Sequence, residues 1–293
     1  MHDDEVDAGI DVARRLVAAQ FPQWADLPLE PVESFGTDNA IYRLGGELSV
    51  RLPLHEPSVH VDREAEVLGR LAGRLPLELP RQVAVGEPGA GYPLRWSVQT
   101  WLPGGNAAAG LRDLREAAGD LARFVRALQA VETEGAPESP RGRPLAARDA
   151  QFRRSLAQAE GLLDTAAALA AWEAALGAPD WGGPPVWSHG DLLAGNLLAV
   201  EGRLSGVIDW PGAGVGDPMV DLLPAWSLFD PEAREVYRSE LGVDDATWAR
   251  GRGLALSQGV IAMPYYVDTN PGLFEIGRRA VEAVLSATDL SGI

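Results

Sequence analysis

Four polar residues lie at the edges of apolar runs in the stretch VWSHGDLLAGNLLAVEGRLSGVIDW, residues 186–210: His189, Asp191, Asn196 and Asp209. Short polar residues in such places often only shape turns. As a set, however, an aspartate and an asparagine five residues apart on one loop, with a second aspartate after a short hairpin, can converge on one point. In phosphoryl transfer one carboxylate accepts the proton of the attacking hydroxyl, while an amide oxygen and another carboxylate hold Mg²⁺. The spacing therefore predicts a phosphoryl-transfer site.

The composition narrows the class of protein that carries this stretch. The chain has 293 residues, is 46% hydrophobic and contains nine Trp, so we expect a folded protein with two lobes or domains. It has no Cys, which excludes disulfides, thiol catalysis and cysteine-based zinc sites, and its four His show no metal-ligand spacing. No apolar run reaches the length of a transmembrane helix, and the acidic N-terminus lacks the features of a signal peptide. We therefore expect a cytoplasmic protein.

The formal net charge of −17 bears on the partners. Nucleic acid and anionic membranes both need a basic patch, so we expect neither as a partner. A cationic small molecule would be attracted, although the acidic residues are spread along the chain and do not locate a site. All 25 basic residues are Arg, and the chain has no Lys.

The pattern of apolar residues predicts an α+β fold of two lobes. Residues 1–101 show a first helix, short strands, a helix over residues 61–75 and two more strands, which predicts an antiparallel sheet lobe with one inserted helix. Residues 102–293 are predicted to form a mostly helical lobe that carries the site, with a surface loop over residues 137–144 and one β-rich interruption at 197–208. The helices predicted in this lobe cover about 110–131, 148–160, 164–177, 217–228, 231–241, 246–268 and 273–287.

This layout resembles the aminoglycoside phosphotransferase family, whose fold is protein-kinase-like, over nearly the whole chain. The residues that carry the resemblance are the segment HGDLLAGN at 189–196, Ile208-Asp209-Trp210, Gly216-Asp217-Pro218 and Asp221. The resemblance implies transfer of the γ-phosphoryl group of ATP or GTP, with Mg²⁺, to a hydroxyl of an antibiotic or small metabolite.

The resemblance also implies a role for each matching residue. Asp191 matches the catalytic aspartate, and Asn196 and Asp209 match the Mg²⁺ ligands. His189 matches the histidine that orders the catalytic loop, a structural role that we favour over acid–base chemistry. The two remaining motif residues are expected to brace the lobe: Asp217 and Asp221.

The predicted sheet lobe contains a cation at the family's phosphate-binding position. Kinase-like folds usually place a Lys on the third strand, paired with a Glu on the following helix, whereas this chain has Arg51 in LSVRLP. The planar guanidinium can bind phosphate through two hydrogen bonds, although Arg and Lys are not interchangeable. Glu64 is the expected partner and Glu66 the alternative. An Arg on a solvated strand edge is the other interpretation.

Two further segments are candidates for nucleotide binding. The stretch ESFGTDNAIY has one Gly where protein kinases have three, and an ordinary hairpin turn would explain it equally well. Its candidate phosphate donors are Ser34, Gly36, Thr37 and Asn39. In VQTWLP the backbone of Thr100 and Leu102 would, by resemblance, bind the edge of the base.

The acceptor site is expected between the catalytic loop and the last helices. The candidates are Trp226, Asp230, Tyr265, Tyr266, Asp268 and Glu275. Carboxylates suit a hydroxylated, cationic acceptor such as an aminoglycoside, whereas an apolar wall suits a macrolide, and the two tyrosines would also fit simple helix packing. A kinase of a macrolide or another hydroxylated metabolite is therefore the alternative function, and an inactive kinase-like binding module is a remote one.

Overall fold

The computed structural model describes residues 6–32, 38–55 and 59–286, and within it the chain divides into two compact units. The first unit consists of Met1–Gly73, Glu78–Pro103 and Gly206–Pro211, and the second of Arg74–Leu77, Gly104–Ser205 and Gly212–Ile293. The segment that carries Asp209 therefore belongs to the first unit, whereas Asp191 and Asn196 belong to the second. An antiparallel sheet dominates the first unit and helices the second, which confirms the predicted α+β fold class.

A five-stranded antiparallel sheet forms the first unit, with strand order β1-β2-β3-β5-β4. Its elements are α1 (Ile10–Gln20), β1 (Leu29–Pro31), β2 (Asn39–Leu44), β3 (Leu48–Pro53), α2 (Val59–Leu71), β4 (Gln82–Gly86) and β5 (Trp96–Thr100). Strand β3 is central and buried on both faces. Val50 and Leu52 belong to the apolar core, and because neighbouring side chains point to opposite faces of a strand, Arg51 lies on the other face.

The core of the first unit joins α1 to one face of the sheet. The buried side of α1, which includes Leu16 and Val17, packs in one cluster with Val50, Trp96 and Val98. The apolar residues of α1 recur at helical spacing, so their burial fixes the helix against the sheet. This packing makes β3 a rigid support for Arg51.

The second unit is mostly helical and contains two small sheets, one with strand order β6-β8-β9 and one that pairs β7 with β10. Its strands are β6 (Gly105–Asn106), β7 (Val186–Ser188), β8 (Leu197–Val200), β9 (Arg203–Val207) and β10 (Gly214–Gly216). The end of β9, from Gly206, is assigned to the first unit. Its helices are α3 (Ala107–Gly110), α4 (Leu114–Gln129), α5 (Asp149–Gln158), α6 (Thr165–Leu176), α7 (Pro224–Ser227), α8 (Pro231–Leu241), α9 (Asp245–Tyr266) and α10 (Pro271–Ser286).

Helix α9 is the centre of the second unit and is buried along most of its length. Glycines let its neighbours approach closely: a Cβ at Gly251 would lie 2.5 Å from Leu222, and one at Gly259 would lie 2.6 Å from the carbonyl oxygen of Gly277. Among the described residues, no helix combines the length and the apolar character that a membrane span requires.

The structure differs from the sequence predictions in two places in this unit. The predicted helix at 217–228 is wrong: a 3₁₀ turn, Pro218–Leu222, and the short helix α7 occupy that stretch. Each begins with a proline, which has no N–H to continue a preceding helix. The unit also contains more β-structure than predicted. The sequence did not predict β6, β7 and β10, because strands of two or three residues are too short to show the alternation of apolar and polar residues.

Candidate active site

The loop that carries Asp191 begins where β7 pairs with β10 at Ser188 and Gly214. Gly190 adopts a φ of 88°, and a Cβ at this position would lie 2.6 Å from the carbonyl oxygen of Gly212. Only glycine meets both conditions without strain. The close approach fixes the chain immediately before Asp191.

The buried carboxylate of Asp221 holds the same loop through two hydrogen bonds. Asp221 accepts hydrogen bonds from the backbone N–H groups of His189, at 2.9 Å, and Gly190, at 3.0 Å. The backbone carbonyl oxygen of Asp221 accepts a hydrogen bond from the hydroxyl of Tyr237 at 2.7 Å. Burial raises the pKa of Asp221 to about 6, against the opposing effect of the two N–H donors. Asp221, which was predicted to brace the lobe, thus makes a direct contact with the loop that carries Asp191.

His189 holds the backbone of Asp191. The imidazole is fully buried, and its Nδ1 accepts a hydrogen bond from the backbone N–H of Asp191 at 3.1 Å. Because Nδ1 is the acceptor, a neutral ring carries its proton on Nε2. This geometry suits the structural role that the sequence favoured.

Asn196 contacts Asp191 across the loop. Its Nδ2 donates to the carbonyl oxygen of Asp191 at 2.9 Å and to its carboxylate Oδ2 at 3.3 Å. With the amide in this orientation, the side-chain oxygen receives no hydrogen bond from any residue that the structure describes. An amide oxygen of this kind is a ligand type that Mg²⁺ accepts.

Arg141 is the residue at this loop that the sequence reasoning missed. Its Nη1 donates to the carbonyl oxygen of Gly190 at 2.7 Å and forms an ion pair with Oδ1 of Asp191. The side chains of Arg141 and Asp191 are 38% and 21% exposed. Residues 137–144 were predicted only as a surface loop. The signal was available: residues 139–148 contain three Arg and no acidic residue in a strongly acidic chain.

Asp217 braces the end of the motif. Its carboxylate caps the following turn through the N–H of Met219 at 2.9 Å and pairs with Arg250 at 2.8 Å. Both partners of the ion pair are buried, and Arg250 also donates to the carbonyl oxygen of Pro179. Because the buried polar groups of both residues have hydrogen-bond partners, the pair holds α9 to the segment that follows β10.

In the first unit, three charged residues form one network. Arg51 lies between two carboxylates: its Nη2 is 2.6 Å from Oδ1 of Asp209, and its Nε is 4.0 Å from Oε2 of Glu64. Burial alone would lower the pKa of Arg51, but the charges of Glu64 and Asp209 raise it. Glu64 also accepts hydrogen bonds from Gln99, at 2.9 Å, and from the backbone N–H of Trp210, at 3.1 Å. These contacts tie α2 and the sheet to the segment that carries Asp209.

This network settles the choice of partner for Arg51. Glu64 is 4% exposed, whereas Glu66 is exposed and pairs with Arg70 one turn along the same helix. The interpretation of Arg51 as a solvated edge residue is wrong, because β3 is central in the sheet and Arg51 is 6% exposed. Asp209 itself has a φ of 71°, a conformation that few residues other than glycine adopt and that is often stored at functional sites.

The other candidates for nucleotide binding differ in what the structure shows of them. Ser34, Gly36 and Thr37 lie outside the described residues, and Asn39 begins β2. At the end of β5, the backbone N–H of Thr100 donates a hydrogen bond to the carbonyl oxygen of Arg81, and the hydroxyl of Thr100 accepts one from the backbone N–H of Arg81. No described residue accepts a hydrogen bond from the backbone N–H of Leu102.

The acceptor candidates all belong to the second unit. Trp226 is 1% exposed and packs against Trp248 at a ring distance of 4.7 Å. Asp230 caps α8 through the N–H of Ala233 at 2.8 Å. Both therefore have structural contacts in this conformation.

The remaining acceptor candidates lie at the ends of α9 and α10. Tyr265 and Tyr266 form an edge-to-face pair 4.7 Å apart, and Tyr265 is 53% exposed. Asp268 is exposed, and Glu275 is exposed but paired with Arg278 at 2.5 Å. The described part of the chain holds no group of three or more His, Asp or Glu side chains that could bind a metal ion by itself.

Comparisons with known proteins show the family to which the chain belongs. Residues 30–254 match the profile of the phosphotransferase enzyme family, APH. A 71-residue segment is 39% identical to an aminoglycoside 3'-phosphotransferase of Escherichia coli, a match that spans 23% of this chain and 25% of the relative.

Solved structures show the same fold. The GDP and kanamycin complex of APH(2")-IIia has a TM-score of 0.73 at 19% identity and covers 93% of this chain and 97% of its own. The apoenzyme of macrolide 2'-phosphotransferase MphH from Brachybacterium faecium has a TM-score of 0.61 at 24% identity, covering 93% and 98%. The matched profile covers most of the chain and includes every motif described above, so the chain belongs to the aminoglycoside phosphotransferase family, a family of small-molecule O-phosphotransferases.

Proposed function

We propose that this chain transfers the γ-phosphoryl group of ATP or GTP to a hydroxyl of a small molecule, with Asp191 as the catalytic base. The observation that carries the proposal is the way Asp191 is held. Its backbone is fixed by His189 and its carboxylate is contacted by Asn196 and Arg141, yet a fifth of the side chain remains exposed. A carboxylate that is rigid and accessible is what a base needs to take the proton of an incoming hydroxyl.

Asn196 and Asp209 are proposed as the ligands of Mg²⁺. A side-chain amide oxygen and a carboxylate oxygen are both hard donors that suit this ion, and the absence of a larger acidic cluster in the described residues fits an ion held mainly with nucleotide phosphates. Bound Mg²⁺ would neutralise charge on the phosphates. In the structure Asp209 is paired with Arg51, so its carboxylate is already held in one orientation.

Arg51 is proposed to bind the α- and β-phosphates, with Glu64 holding the guanidinium in place. Among the described residues, the one hydrogen bond that the guanidinium of Arg51 makes runs from Nη2 to Asp209, so it retains a donor for phosphate. Ser34, Gly36, Thr37 and Asn39 stay proposals from the sequence for phosphate binding, as do the backbone groups of Thr100 and Leu102 for binding the base. The unused N–H of Leu102 is consistent with a hydrogen bond to the edge of a base.

An aminoglycoside-like antibiotic is the proposed acceptor, which gives the protein a role in resistance in the cytoplasm. Exposed carboxylates at Asp268 and Glu275 could receive amino groups. A macrolide is the second candidate, because the exposed ring of Tyr265 beside Tyr266 offers an apolar surface and solved relatives include macrolide kinases. The intact contacts around Asp191 argue against an inactive binding module.

The test is a panel of aminoglycosides, macrolides and amino alcohols, incubated with Mg²⁺ and either ATP or GTP and scored by product mass. Asp191→Asn should lower kcat by about 10²–10⁴-fold, as expected for the loss of a positioned base, while nucleotide affinity stays within about threefold. Asp180→Asn, at an exposed aspartate of the same unit, is the control and should behave as wild type. Transfer by Asp191→Asn at close to the wild-type rate would contradict the assignment.

A further inference from the structure

We propose that Arg141 is a catalytic residue whose guanidinium binds the transferring phosphoryl group next to Asp191. The inference rests on the proposed function, since it assumes that Asp191 is the base. It assigns chemistry to a residue of the segment 137–144, which the sequence analysis predicted only as a surface loop.

The contacts of Arg141 leave part of its guanidinium available. The contacts that the structure gives this side chain, to the carbonyl oxygen of Gly190 and the carboxylate of Asp191, both use Nη1. Among the described residues, Nη2 and Nε donate to nothing. With 38% of the side chain exposed, these donors are open to a ligand at the position that Asp191 also faces.

The reaction brings a suitable ligand to this place. The acceptor oxygen forms a bond to the γ-phosphorus while the bond between that phosphorus and the β–γ bridging oxygen breaks, leaving its electron pair on the nucleoside diphosphate. The hydroxyl proton goes to Asp191, and Arg141 stays protonated throughout. Negative charge spreads over the three equatorial oxygens of the transferring group, which lies one bond from the hydroxyl that Asp191 contacts. A guanidinium can bind two such oxygens at once.

The surrounding charge supports an anionic ligand. The chain has a net charge of −17 and no Lys, yet Arg141, Arg143 and Arg148 fall within ten residues that include no acidic side chain. Arg148 donates from Nε to the hydroxyl of Ser257 at 3.2 Å and has no carboxylate partner among the described residues. Burial and the charge of Arg141 lower the pKa of Arg148 to about 10, so it is still charged at neutral pH. Two cations close enough to repel each other are thus held here, and only Arg141 is paired with a carboxylate, which favours a ligand of high negative charge.

The test uses a mimic of the transferring phosphoryl group and needs no acceptor. The affinity for ADP or GDP with Mg²⁺ is measured by calorimetry, with and without aluminium fluoride, for wild type, Arg141→Gln and Arg141→Lys. Aluminium fluoride should tighten wild-type binding. In Arg141→Gln this tightening should fall by at least about tenfold, while the affinity for the diphosphate alone stays within about threefold. Arg141→Lys should retain part of it, because the charge remains and the planar fork is lost.

Arg143→Gln is the matched control, since it removes the same charge from an exposed side chain two residues away. It should show the wild-type tightening. Equal tightening in wild type and Arg141→Gln, or an equal loss in Arg141→Gln and Arg143→Gln, would overturn the proposal. If wild type bound no nucleoside diphosphate at all, the proposed function would fail first, and the two failures are therefore distinguishable.

Discussion

Arg51 and Asp209 share an ion pair in which Nη2 lies 2.6 Å from Oδ1, although the two residues are 158 positions apart in the chain. Glu64 completes the network, because it faces the same guanidinium and accepts the backbone N–H of Trp210, the residue after Asp209. The residue proposed to bind phosphate and a residue proposed to bind Mg²⁺ are therefore held by each other. If Asp209 binds Mg²⁺ as proposed, we expect Arg51 to exchange this carboxylate for the phosphates of the nucleotide.

Arg51→Ala should lower kcat/KM for the nucleotide by at least about tenfold, a loss of about 1.4 kcal/mol. Arg51→Lys should retain part of the activity, since the charge survives without the fork. Glu64→Gln should cost less, because Glu64 orients the cation and does not contact phosphate. Glu66→Gln is the control at an exposed position of the same helix. Wild-type kinetics for Arg51→Ala together with a failing Glu64→Gln would mean that another group holds the phosphates.

Asn196→Ala and Asp209→Ala should each raise the Mg²⁺ concentration needed for half-maximal activity. The effect of Asp209→Ala should be the larger, because a carboxylate brings a full charge to a hard cation and an amide brings only a dipole. The measurement is a Mg²⁺ titration of the initial rate at saturating nucleotide. Asp245→Ala, at a side chain that is 98% exposed, should leave the midpoint unchanged. A midpoint that stays at the wild-type value in both site variants would contradict the metal role.

Asp221→Asn should remove a pH dependence from the stability of the protein. Burial raises the pKa of Asp221 from 3.8 to about 6, so the folded state favours the protonated carboxyl. The stabilising contribution of this group is therefore present below pH 3.8 and is lost as the pH rises through about 6. The difference corresponds to about 3 kcal/mol.

The free energy of unfolding of wild type and Asp221→Asn is measured in denaturant at several pH values from 4 to 7. The stability of wild type relative to the variant should fall by an amount of that order as the pH rises, since all other carboxyl groups titrate in both proteins. A difference that does not change with pH would show that Asp221 titrates normally.

Local sequence was sufficient for parts of this site. The spacing from His189 to Asn196 lies within one loop, and the buried face of α2 follows a helical period. Glu64 lies three, four and seven residues before Val67, Leu68 and Leu71, all of which are buried, so the helix period already placed it on the inner face. The choice between Glu64 and Glu66 could therefore have been made from the sequence.

The contact between Arg141 and Asp191 could not be obtained in the same way. The two residues are 50 positions apart, and the segment around Arg141 has neither helical nor strand periodicity. The small strands β7 and β10 were missed for a related reason, since three residues are too few to show alternation. Both features depend on contacts between segments that are far apart in the sequence.

Gly190→Ala should disturb the catalytic loop without removing any functional side chain. The residue has a φ of 88°, and an added Cβ would meet the carbonyl oxygen of Gly212 at 2.6 Å, so the backbone between β7 and Asp191 must shift. Strain of this kind costs about 1–3 kcal/mol. The hydrogen bond from Gly190 to Asp221 and the position of Asp191 should change together, and kcat should fall by at least about tenfold with nucleotide affinity retained.

Gly212→Ala is the matched control, because a Cβ there would meet its nearest neighbour, the carbonyl oxygen of His189, at an ordinary 3.8 Å. Unfolding free energies and steady-state kinetics of the two variants decide the matter: if Gly190→Ala were no less stable and no less active than Gly212→Ala, the close approach at Gly190 would not be what positions Asp191.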